Sequence, residues 1–306
     1  MSMEKAYIVI INYNGEKNTV ECLDSLMKIQ KGNFAIKTII VDNYPENSID
    51  IDEEKYKGLG LKVIFKSQNL GFSGGNNVGI NYALENGADY VLLLNNDTLV
   101  KPDFLLKLLD FAKKKKDAGI IAPKIYFAKG FEFHKDRYKS KDLGKVIWYA
   151  GGILDLKNVV GRHVGVDEVD QGHYNSPGET GFASGCCMLI KKEVFEKVGF
   201  LDEKYFLYYE DSEFCLRAKN SGFKVYYVPD SVVWHKNAGS AGGSGSDIQD
   251  YYITRNRLLF GNKYAPIRAR TSLFREGLML AIKGRPMQRL GAKDYFLKRF
   301  GKSRHF

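Results

Sequence analysis

Three groups of polar residues in this 306-residue sequence have types and spacing that suit chemistry. The first is Asn95-Asn96-Asp97, which follows the apolar run Tyr90–Leu94. A divalent cation that bridges a diphosphate needs only one or two protein oxygens, because the substrate supplies the others, and Asp97 suits that role. The same residues also suit an Asx turn or a cap for the helix that Pro102 opens. Taken alone, the turn explains them better.

The second group holds three carboxylates, Glu210, Asp211 and Glu213, within four positions. Their charges repel one another, and the start of a helix relieves part of that repulsion. Asp211 could be an N-cap with solvated neighbours. It could equally be a general base whose pKa is tuned by the neighbouring carboxylates and by burial. The local sequence does not decide between the two.

The third group is His235 with the glycine-rich stretch Gly239–Ser246 that follows it. A lone histidine is more often structural than a ligand. The glycine and serine composition predicts a flexible loop, and its position after His235 makes it a candidate lid. A metal or phosphate contact by His235 therefore stays open.

A glycine-rich segment, residues 69–79, joins a predicted strand to a predicted helix. Glycines let backbone amides approach a ligand, and a helix N-terminus favours anions. The segment matches neither the G-x-G-x-x-G nor the Walker pattern. A tight, well-packed turn explains Gly74 and Gly75 equally well.

Strand and helix patterns alternate through the N-terminal third and predict a mainly parallel sheet with helices on both faces. Polar residues follow each strand, at the edge where ligands of such sheets bind. The predicted strands are Ala6–Ile11, Ile36–Val41, Leu61–Phe65 and Tyr90–Leu94, and the helices are Thr19–Ile29, Asn76–Glu85 and one from Pro102 to the lysine run 113–116.

The pattern weakens between residues 127 and 181, where short antiparallel strands or a flexible acceptor loop are expected. It then resumes, with the strand Lys224–Val228 predicted to stop at Pro229. The other elements predicted here are the strand Cys187–Ile190 and the helices Lys192–Val198 and Asp211–Ser221.

All of the net charge of +10 belongs to the tail. Residues 251–306 carry 14 Lys and Arg against two acidic residues, which gives +12 and leaves residues 1–250 at −2. Apolar residues in the tail predict two amphipathic helices separated by Gly284 and Pro286. Such helices suit an anionic membrane surface, or their apolar faces pack on the domain or on a second subunit. No nucleic-acid module accompanies the charge.

No apolar run approaches the roughly 20 residues of a membrane-spanning helix, and no secretion signal is evident. Four cysteines lack a disulfide spacing pattern. We therefore expect a cytoplasmic protein with reduced thiols, with a peripheral position at the inner face of the cell membrane as an extension of that expectation.

In combination, the motifs closely resemble glycosyltransferase family 2, and within it the rhamnosyltransferase-like enzymes of bacterial surface polysaccharide synthesis. The resemblance covers about residues 6–262. The segments that carry it are Val9–Gly15, Ile40–Asn43, Asn69–Phe72, Gly74–Gly79, Leu93–Thr98, Ser184-Gly185, Gly199–Glu203, Tyr209–Asp211, Arg217, Trp234-His235, Tyr252 and Arg255-Asn256.

The resemblance implies a GT-A fold and inverting transfer from a nucleoside diphosphate sugar with Mg²⁺ or Mn²⁺. It implies that Asp211 is the general base and that Asp97 and His235 meet the metal. The family's D-x-D motif has Asn95 in place of its first Asp, which argues against tight metal binding without substrate. The residues assigned to the nucleotide are Asn14, Asp42, Asn69, Gly74, Asn77, Asn95 and Asp97, with Arg255 at the leaving diphosphate.

The resemblance places a GT-A domain at residues 1–262, with a nucleotide-binding half at about 1–125 and an acceptor and catalytic half at 126–262. A basic helical segment follows at 263–306. The implied donor is dTDP-rhamnose or a UDP-sugar, and the implied acceptor is a saccharide or a polyprenyl-diphosphate-linked glycan. Oligomerisation stays open. The alternatives are a sugar nucleotidyltransferase, whose basic glycine-rich N-terminal loop the sequence matches poorly, and a catalytically silent carbohydrate-binding protein.

Overall fold

The structure, a computed structural model, describes residues 3–44, 46–237 and 245–306. The predicted lid, Gly239–Ser246, lies for the most part outside the described residues. The strands are β1 (Glu4–Asn12), β2 (Phe34–Asp42), β3 (Lys62–Phe65), β4 (Tyr90–Asn95), β5 (Thr98–Val100), β6 (Ala118–Phe127), β7 (Ile147–Tyr149), β8 (Gly152–Asp155), β9 (Val160–His163), β10 (Gly178–Glu179), β11 (Cys187–Lys191) and β12 (Lys224–His235). The helices are α1 (Glu16–Leu26), α2 (Gly71–Glu85), α3 (Phe104–Lys114), α4 (Lys192–Val198), α5 (Glu210–Asn220), α6 (Asp247–Tyr264), α7 (Ile267–Lys283) and α8 (Pro286–Phe296).

A mixed sheet with helices on both faces forms the centre of the molecule, which confirms the predicted fold class. Its main strand order is β10-β12-β6-β11-β4-β1-β2-β3. β1 pairs in parallel with β2 and β4, and β12 pairs in parallel with β6. β11 runs antiparallel between β4 and β6. The central strands read as nearly continuous apolar runs because both faces of this part of the sheet are covered.

The pairing register brings the carboxyl ends of the first strands to one edge. Asn12 of β1 lies opposite Asp42 of β2, and Ile11 lies opposite Asn95 of β4. Asp42 in turn pairs with Phe65 at the end of β3. The polar residues that follow these strands therefore share one rim, as the sequence predicted.

The predicted stop at Pro229 is wrong. β12 continues to His235, and the proline occupies a register shift between Val228 and Val232. A proline can sit at such a bulge because the bulged residues do not donate to the ladder. The sequence also gave no prediction for β5 or β6, although β6 is buried along almost its whole length.

The helix predicted from Asn76 begins five residues earlier, at Gly71. Gly71 has φ +70°, and a Cβ atom there would lie 2.5 Å from the carbonyl oxygen of Phe206. Only glycine accommodates both the backbone conformation and the close approach. Most of the glycine-rich segment 69–79, whose role the sequence left open, is therefore the first turns of α2.

The tail forms the two predicted helices, and part of their apolar surface packs on the domain. Leu273 of α7 and Ala292 of α8 join a buried cluster with Leu258 of α6. α8 approaches α6 so closely that a Cβ atom on Gly291 would lie 2.4 Å from the carbonyl oxygen of Tyr251. The outer face of α7 remains exposed. The predicted domain boundaries at 125/126 and 262/263 stay predictions.

Two further sequence expectations concern the environment of the chain. All four cysteines are buried and unbridged. Within the described ranges, no helix is long and apolar enough to cross a membrane.

Candidate active site

A cavity of about 560 Å³ opens at the carboxyl ends of the parallel strands. It is lined by residues from both halves of the sheet, from α6 and from the segment that follows α8. The lining residues used below are Tyr13, Asn43, Glu46, Asn69, Asn95, Asn96, Asp97, Trp148, His163, Phe206, Tyr208, Glu210, Asp211, His235, Tyr252, Lys302 and Phe306. The edge of the sheet at which the sequence predicted a ligand therefore contains a cavity.

The cavity contains the pair formed by Asp97 and His235. β12 pairs with β5 so that His235 lies opposite Thr98, and the backbone N–H of Lys236 donates to the Asp97 carbonyl at 2.9 Å. These bonds fix the two side chains with Asp97 Oδ1 and His235 Nε2 3.1 Å apart. The Trp148 ring packs edge-on against the imidazole, with centroids 4.6 Å apart.

The donor set of this pair fits a divalent cation. Adjacent ligands of an octahedral ion with bonds of about 2.1 Å lie about 3.0 Å apart, close to the separation of Asp97 Oδ1 and His235 Nε2. His235 Nδ1 is buried and has no hydrogen-bond partner among the described residues. Among the described residues, no group of three or more His, Cys, Asp or Glu side chains is placed so that it could hold a metal ion by itself. A cation bound here would therefore take most of its ligands from substrate and water.

The two asparagines of the Asn95-Asn96-Asp97 group have different surroundings. Asn96 is buried, and its side-chain amide donates to Thr19 Oγ1 at 3.0 Å, which ties the β4–β5 turn to α1. Asn95 ends β4, and its backbone N–H donates to the Cys186 carbonyl at 2.8 Å. Both line the cavity. The local turn and the cavity role are thus compatible.

Asp211 lies in the first turn of α5 with its carboxylate held in the cavity wall. Oδ2 accepts the backbone N–H of Gly185 at 3.0 Å. Oδ1 accepts the backbone N–H and the hydroxyl of Ser212 at 2.6 Å and 3.2 Å. These bonds fix the orientation of a carboxylate that lines the cavity.

Glu210, beside Asp211, has an opposite environment that the sequence did not reveal. Its residue is 5% exposed, and Oε2 has no hydrogen-bond partner in the described structure. Burial, with a further contribution from the Asp211 charge, raises the pKa of Glu210 well above 4.5. This environment therefore favours the protonated form of the Glu210 carboxyl group.

His163 and Trp148 come from the region that the sequence left undefined. The His163 Nδ1 atom lies 3.0 Å from the Trp148 carbonyl, a geometry in which Nδ1–H donates. Burial lowers the pKa of His163 below 6.5, so the ring is neutral at pH 7. Only their aromatic type could have suggested these residues, because the segment around them lacks regular periodicity.

The loop before α5 has an unusual backbone. Phe206, Tyr208 and Tyr209 have φ of 62°, 69° and 74°, a region that costs a non-glycine residue about 1 kcal/mol or more. Asn256 of α6 compensates, because its amide nitrogen lies 2.8 Å from the carbonyls of Tyr205, Leu207 and Tyr208. Two N–H groups thus serve three acceptors.

Two predicted nucleotide residues, Asn14 and Asp42, do not line the cavity. Asn14 is exposed, with φ 49°, at the turn after β1. Asp42 is buried, and its two oxygens accept from Asn12 Nδ2 at 2.8 Å and from the Ile49 backbone at 2.9 Å. Asn43, the next residue, lines the cavity instead, and its amide contacts Asn69 Oδ1 at 3.1 Å.

Gly74 and Asn77 also lie away from the cavity, within α2. A Cβ atom at Gly74 would lie 2.9 Å from the Leu70 side chain, so the glycine serves packing. The Asn77 amide donates to the Leu201 carbonyl at 2.9 Å and accepts the Leu201 N–H at 3.1 Å. Asn77 thereby holds α2 against the segment that leads to α5.

Arg255, which the resemblance assigns to the leaving diphosphate, is not among the residues that line the cavity. Its residue is fully buried, and its guanidinium donates to Asn256 Oδ1 and to the carbonyls of Gly301, Lys204 and Tyr205 at 2.7–3.1 Å. Its donors are directed at protein acceptors, so its role is to connect elements.

Comparisons with known proteins agree with this architecture. The profile of the family described as Glycosyl transferase family 2 matches residues 7–199. Low-salt glycan biosynthesis hexosyltransferase Agl10 of Haloferax volcanii is 27% identical over 83% of this chain and 75% of that protein. dTDP-rhamnosyl transferase RfbF of Shigella flexneri is 29% identical over 84% of this chain and 80% of that protein.

Two further similarities are more distant. N-acetylglucosaminyl-diphospho-decaprenol L-rhamnosyltransferase of Mycobacterium tuberculosis is 28% identical over 50% of this chain and 49% of that protein. The crystal structure of GalNAc-T7 with UDP, GalNAc and Mn2+ has a TM-score of 0.64 at 15% identity, covering 98% of this chain and 55% of that chain. This structural similarity concerns the fold, which is of the GT-A type.

Proposed function

Because the chain belongs to glycosyl transferase family 2, we propose that its cavity transfers a sugar, with inversion, from a nucleoside diphosphate to a glycan acceptor. The observation that carries the proposal is the presence of Asp97, His235 and Asp211 in one cavity at the carboxyl ends of the sheet. The first two suit the diphosphate end of a donor, and the third suits the acceptor hydroxyl.

The donor is a dTDP- or UDP-linked sugar, with dTDP-rhamnose favoured. The similarity to a protein named as a dTDP-rhamnosyl transferase supports this choice, as does the fold shared with an enzyme solved with UDP. The amide side chains of Asn43 and Asn69 and the ring of Tyr13 line the same cavity and suit a nucleoside. Asp42, next to Asn43 in sequence, is buried and accepts from Asn12 Nδ2 and from the Ile49 N–H.

Asp211 acts on the acceptor. A sugar hydroxyl is a weak nucleophile at neutral pH, so its proton passes to the Asp211 carboxylate as the oxygen attacks the anomeric carbon. The new bond forms on the face opposite the diphosphate, and the bond from the anomeric carbon to the phosphate oxygen breaks. The configuration at the anomeric carbon is therefore inverted.

Asp97 and His235 would hold a divalent cation, Mg²⁺ or Mn²⁺. The GT-A enzyme solved with Mn2+ supports a divalent ion in this role. When bound, the ion stabilises negative charge on the departing diphosphate. Burial raises the pKa of Glu210 and lowers the pKa of His163, so it favours the neutral forms of these two neighbours of Asp211.

The acceptor is a saccharide or a glycan on a polyprenyl diphosphate. The name of the mycobacterial relative, which includes a diphospho-decaprenol, supports the lipid-linked form. A membrane-borne acceptor also agrees with the exposed apolar side chains Phe274, Leu278, Met279 and Ile282 on the basic helix α7. We therefore place the enzyme at an anionic membrane surface.

The test is a transfer assay with dTDP-rhamnose and UDP-sugars, with the product's anomeric configuration read by NMR. Wild-type protein should give an inverted product. Asp211→Asn should lower kcat by roughly 10²-fold or more and leave the Kd for the nucleotide nearly unchanged. Asp230→Asn, at an exposed position of β12, is the matched control. Retention of configuration, or full activity in Asp211→Asn, would remove Asp211 from this role.

A further inference from the structure

The segment that follows α8, residues 298–306, turns back to the substrate cavity. We call it the return segment. Lys302 and Phe306 line the same cavity as Asp97 and Asp211, although they lie at the far end of the sequence from β1. The family profile ends at residue 199, so it does not include this part of the wall.

The return segment is fixed at three points. The Gly301 carbonyl accepts from Arg255 Nη1 at 2.7 Å, and the Gly301 N–H donates to the Lys204 carbonyl at 2.9 Å. The Ser303 N–H donates to the Tyr252 hydroxyl at 2.9 Å. The segment therefore bridges α6 and the loop that leads to Asp211.

Packing supports the same placement. Ser303 is buried, and the Phe306 ring lies 5.8 Å and 6.4 Å from the centroids of Tyr251 and Tyr252. The buried Arg255 donates to the carbonyls of Lys204, Tyr205 and Gly301. It therefore connects the return segment to the loop that leads to Asp211.

Lys302 differs in charge from the acidic residues that line the cavity. Glu46, Asp97 and Asp211 are acidic, and Lys302 is the one Lys or Arg among the described lining residues. A substrate carrying a diphosphate brings further negative charge into this partly enclosed space. Lys302 is exposed where it lines the cavity, so its ammonium group would bring one positive charge to phosphate oxygens at this wall.

We propose that the return segment is a built part of the substrate site and that Lys302 binds a phosphate of the substrate. This inference rests on the proposed function. The phosphate belongs to the nucleoside diphosphate or to a lipid-linked diphosphate acceptor, and the two sources share the chemistry that Lys302 recognises. The segment is thereby a determinant of affinity beyond the Asp97 and His235 pair.

The experiment compares full-length wild type with Lys302→Met, Lys302→Arg and Arg304→Met by isothermal titration. Arg304 is exposed, lies in the same segment and does not line the cavity, so it controls for loss of one positive charge. The probes are dTDP and UDP with Mn²⁺, then farnesyl diphosphate in the presence of saturating nucleotide, with farnesol as the phosphate-free control. Thermal unfolding midpoints check that each variant is folded.

Lys302→Met should weaken binding of one diphosphate probe by about tenfold, with Lys302→Arg near wild type and Arg304→Met unchanged. If Lys302→Met binds dTDP and UDP more weakly than wild type does, the phosphate that Lys302 binds belongs to the donor. If it binds only farnesyl diphosphate more weakly, the phosphate belongs to the acceptor. Equal affinities in wild type and Lys302→Met for every probe would overturn the inference, as would equal losses in Lys302→Met and Arg304→Met. Failure of wild type to bind any nucleotide would contradict the proposed function instead, and failure to bind any of the diphosphates would contradict both.

Discussion

Glu210 and Asp211 are adjacent in the first turn of α5, but their carboxyl groups have different surroundings. Asp211 accepts hydrogen bonds from Gly185 and Ser212, whereas Glu210 Oε2 has no partner in the described structure. An unpartnered buried carboxyl is strongly disfavoured in its charged form. The sequence places the two acids side by side, and their surroundings favour the protonated form of Glu210 and orient the carboxylate of Asp211, the proposed base.

Glu210→Gln should make the stability of the protein less dependent on pH. The folded pKa of Glu210 is raised above 4.5, so the wild type loses stability as pH rises from that value towards the folded pKa. A neutral glutamine does not cause this pH-dependent loss. The free energy of unfolding of Glu210→Gln, relative to that of wild type, should therefore increase between pH 5 and pH 7, as measured by urea denaturation.

The control for this prediction is Glu196→Gln, an exposed glutamate of α4. It reports the effect of losing one surface carboxylate. A difference between Glu210→Gln and wild type that is the same at pH 5 and pH 7 would contradict a protonated Glu210.

For individual residues, the sequence predicted which residue types line the cavity better than it predicted their hydrogen-bond partners. Asp97, Asp211 and His235 do lie in one cavity. Arg255 does not, because a motif identifies a guanidinium but not the carbonyls that accept from it. Lys302 was missed, because its position depends on how the tail folds back.

At the scale of elements, α6 positions the loop that carries the proposed base. Asn256→Ala should lower kcat by roughly 10²-fold, because the strained loop before Asp211 loses its hydrogen bonds and the carboxylate is displaced. The Kd for dTDP should change much less. We also expect a loss of about 2 kcal/mol in the free energy of unfolding.

The matched control is Asn81→Ala, whose exposed amide on α2 contacts only Glu85 among its described hydrogen-bond partners. Kinetics below the unfolding transition separate positioning from loss of folded protein. An unchanged kcat in Asn256→Ala, or a decrease no larger than the unfolded fraction, would show that Asn256 has a purely structural role.

The exposed face of α7 is the second element with a testable role. Met279 and Ile282 are 62% and 72% exposed, one turn apart, on a helix that carries several basic residues. Met279→Glu with Ile282→Glu should weaken binding to phosphatidylglycerol vesicles by about tenfold or more in a flotation assay. The fold should be unaffected because both side chains lie outside the core.

Phe65→Glu, at another exposed apolar position, controls for loss of surface hydrophobicity. Vesicle binding that the α7 substitutions leave unchanged would contradict the membrane proposal. Point substitutions are better than deletion of the tail, because the return segment lines the cavity.

Regular periodicity predicted β1 to β4 and α1 to α3, including the strand that ends at Asn95, but not β5 or β6. It failed for β12, because Pro229 is tolerated at a bulge that only pairing with β6 creates. It also failed for the start of α2, since the approach of Phe206 to Gly71 is a tertiary contact. Long-range contacts decided each of these cases.

The whole molecule has a nearly neutral body and a basic tail, and the two are not separate in structure. α8 packs on α6, Arg257 of α6 pairs with Glu276 of α7, and the return segment completes the cavity wall. Composition alone indicated an appendage. The packing shows that the tail contributes to the cavity wall as well as to the basic surface.

The most direct test of the account is a thermal-shift measurement with dTDP, UDP, GDP and CMP, each with and without Mn²⁺, on wild type and Asp97→Asn. A nucleotide that binds only the folded state raises the unfolding midpoint, by roughly 5 °C at about 100 times its Kd. We predict a Mn²⁺-dependent shift with dTDP or UDP in wild type that is lost in Asp97→Asn. No shift with any nucleotide at millimolar concentration, or the same Mn²⁺-independent shift in both proteins, would contradict a metal-assisted nucleotide site at Asp97 and His235.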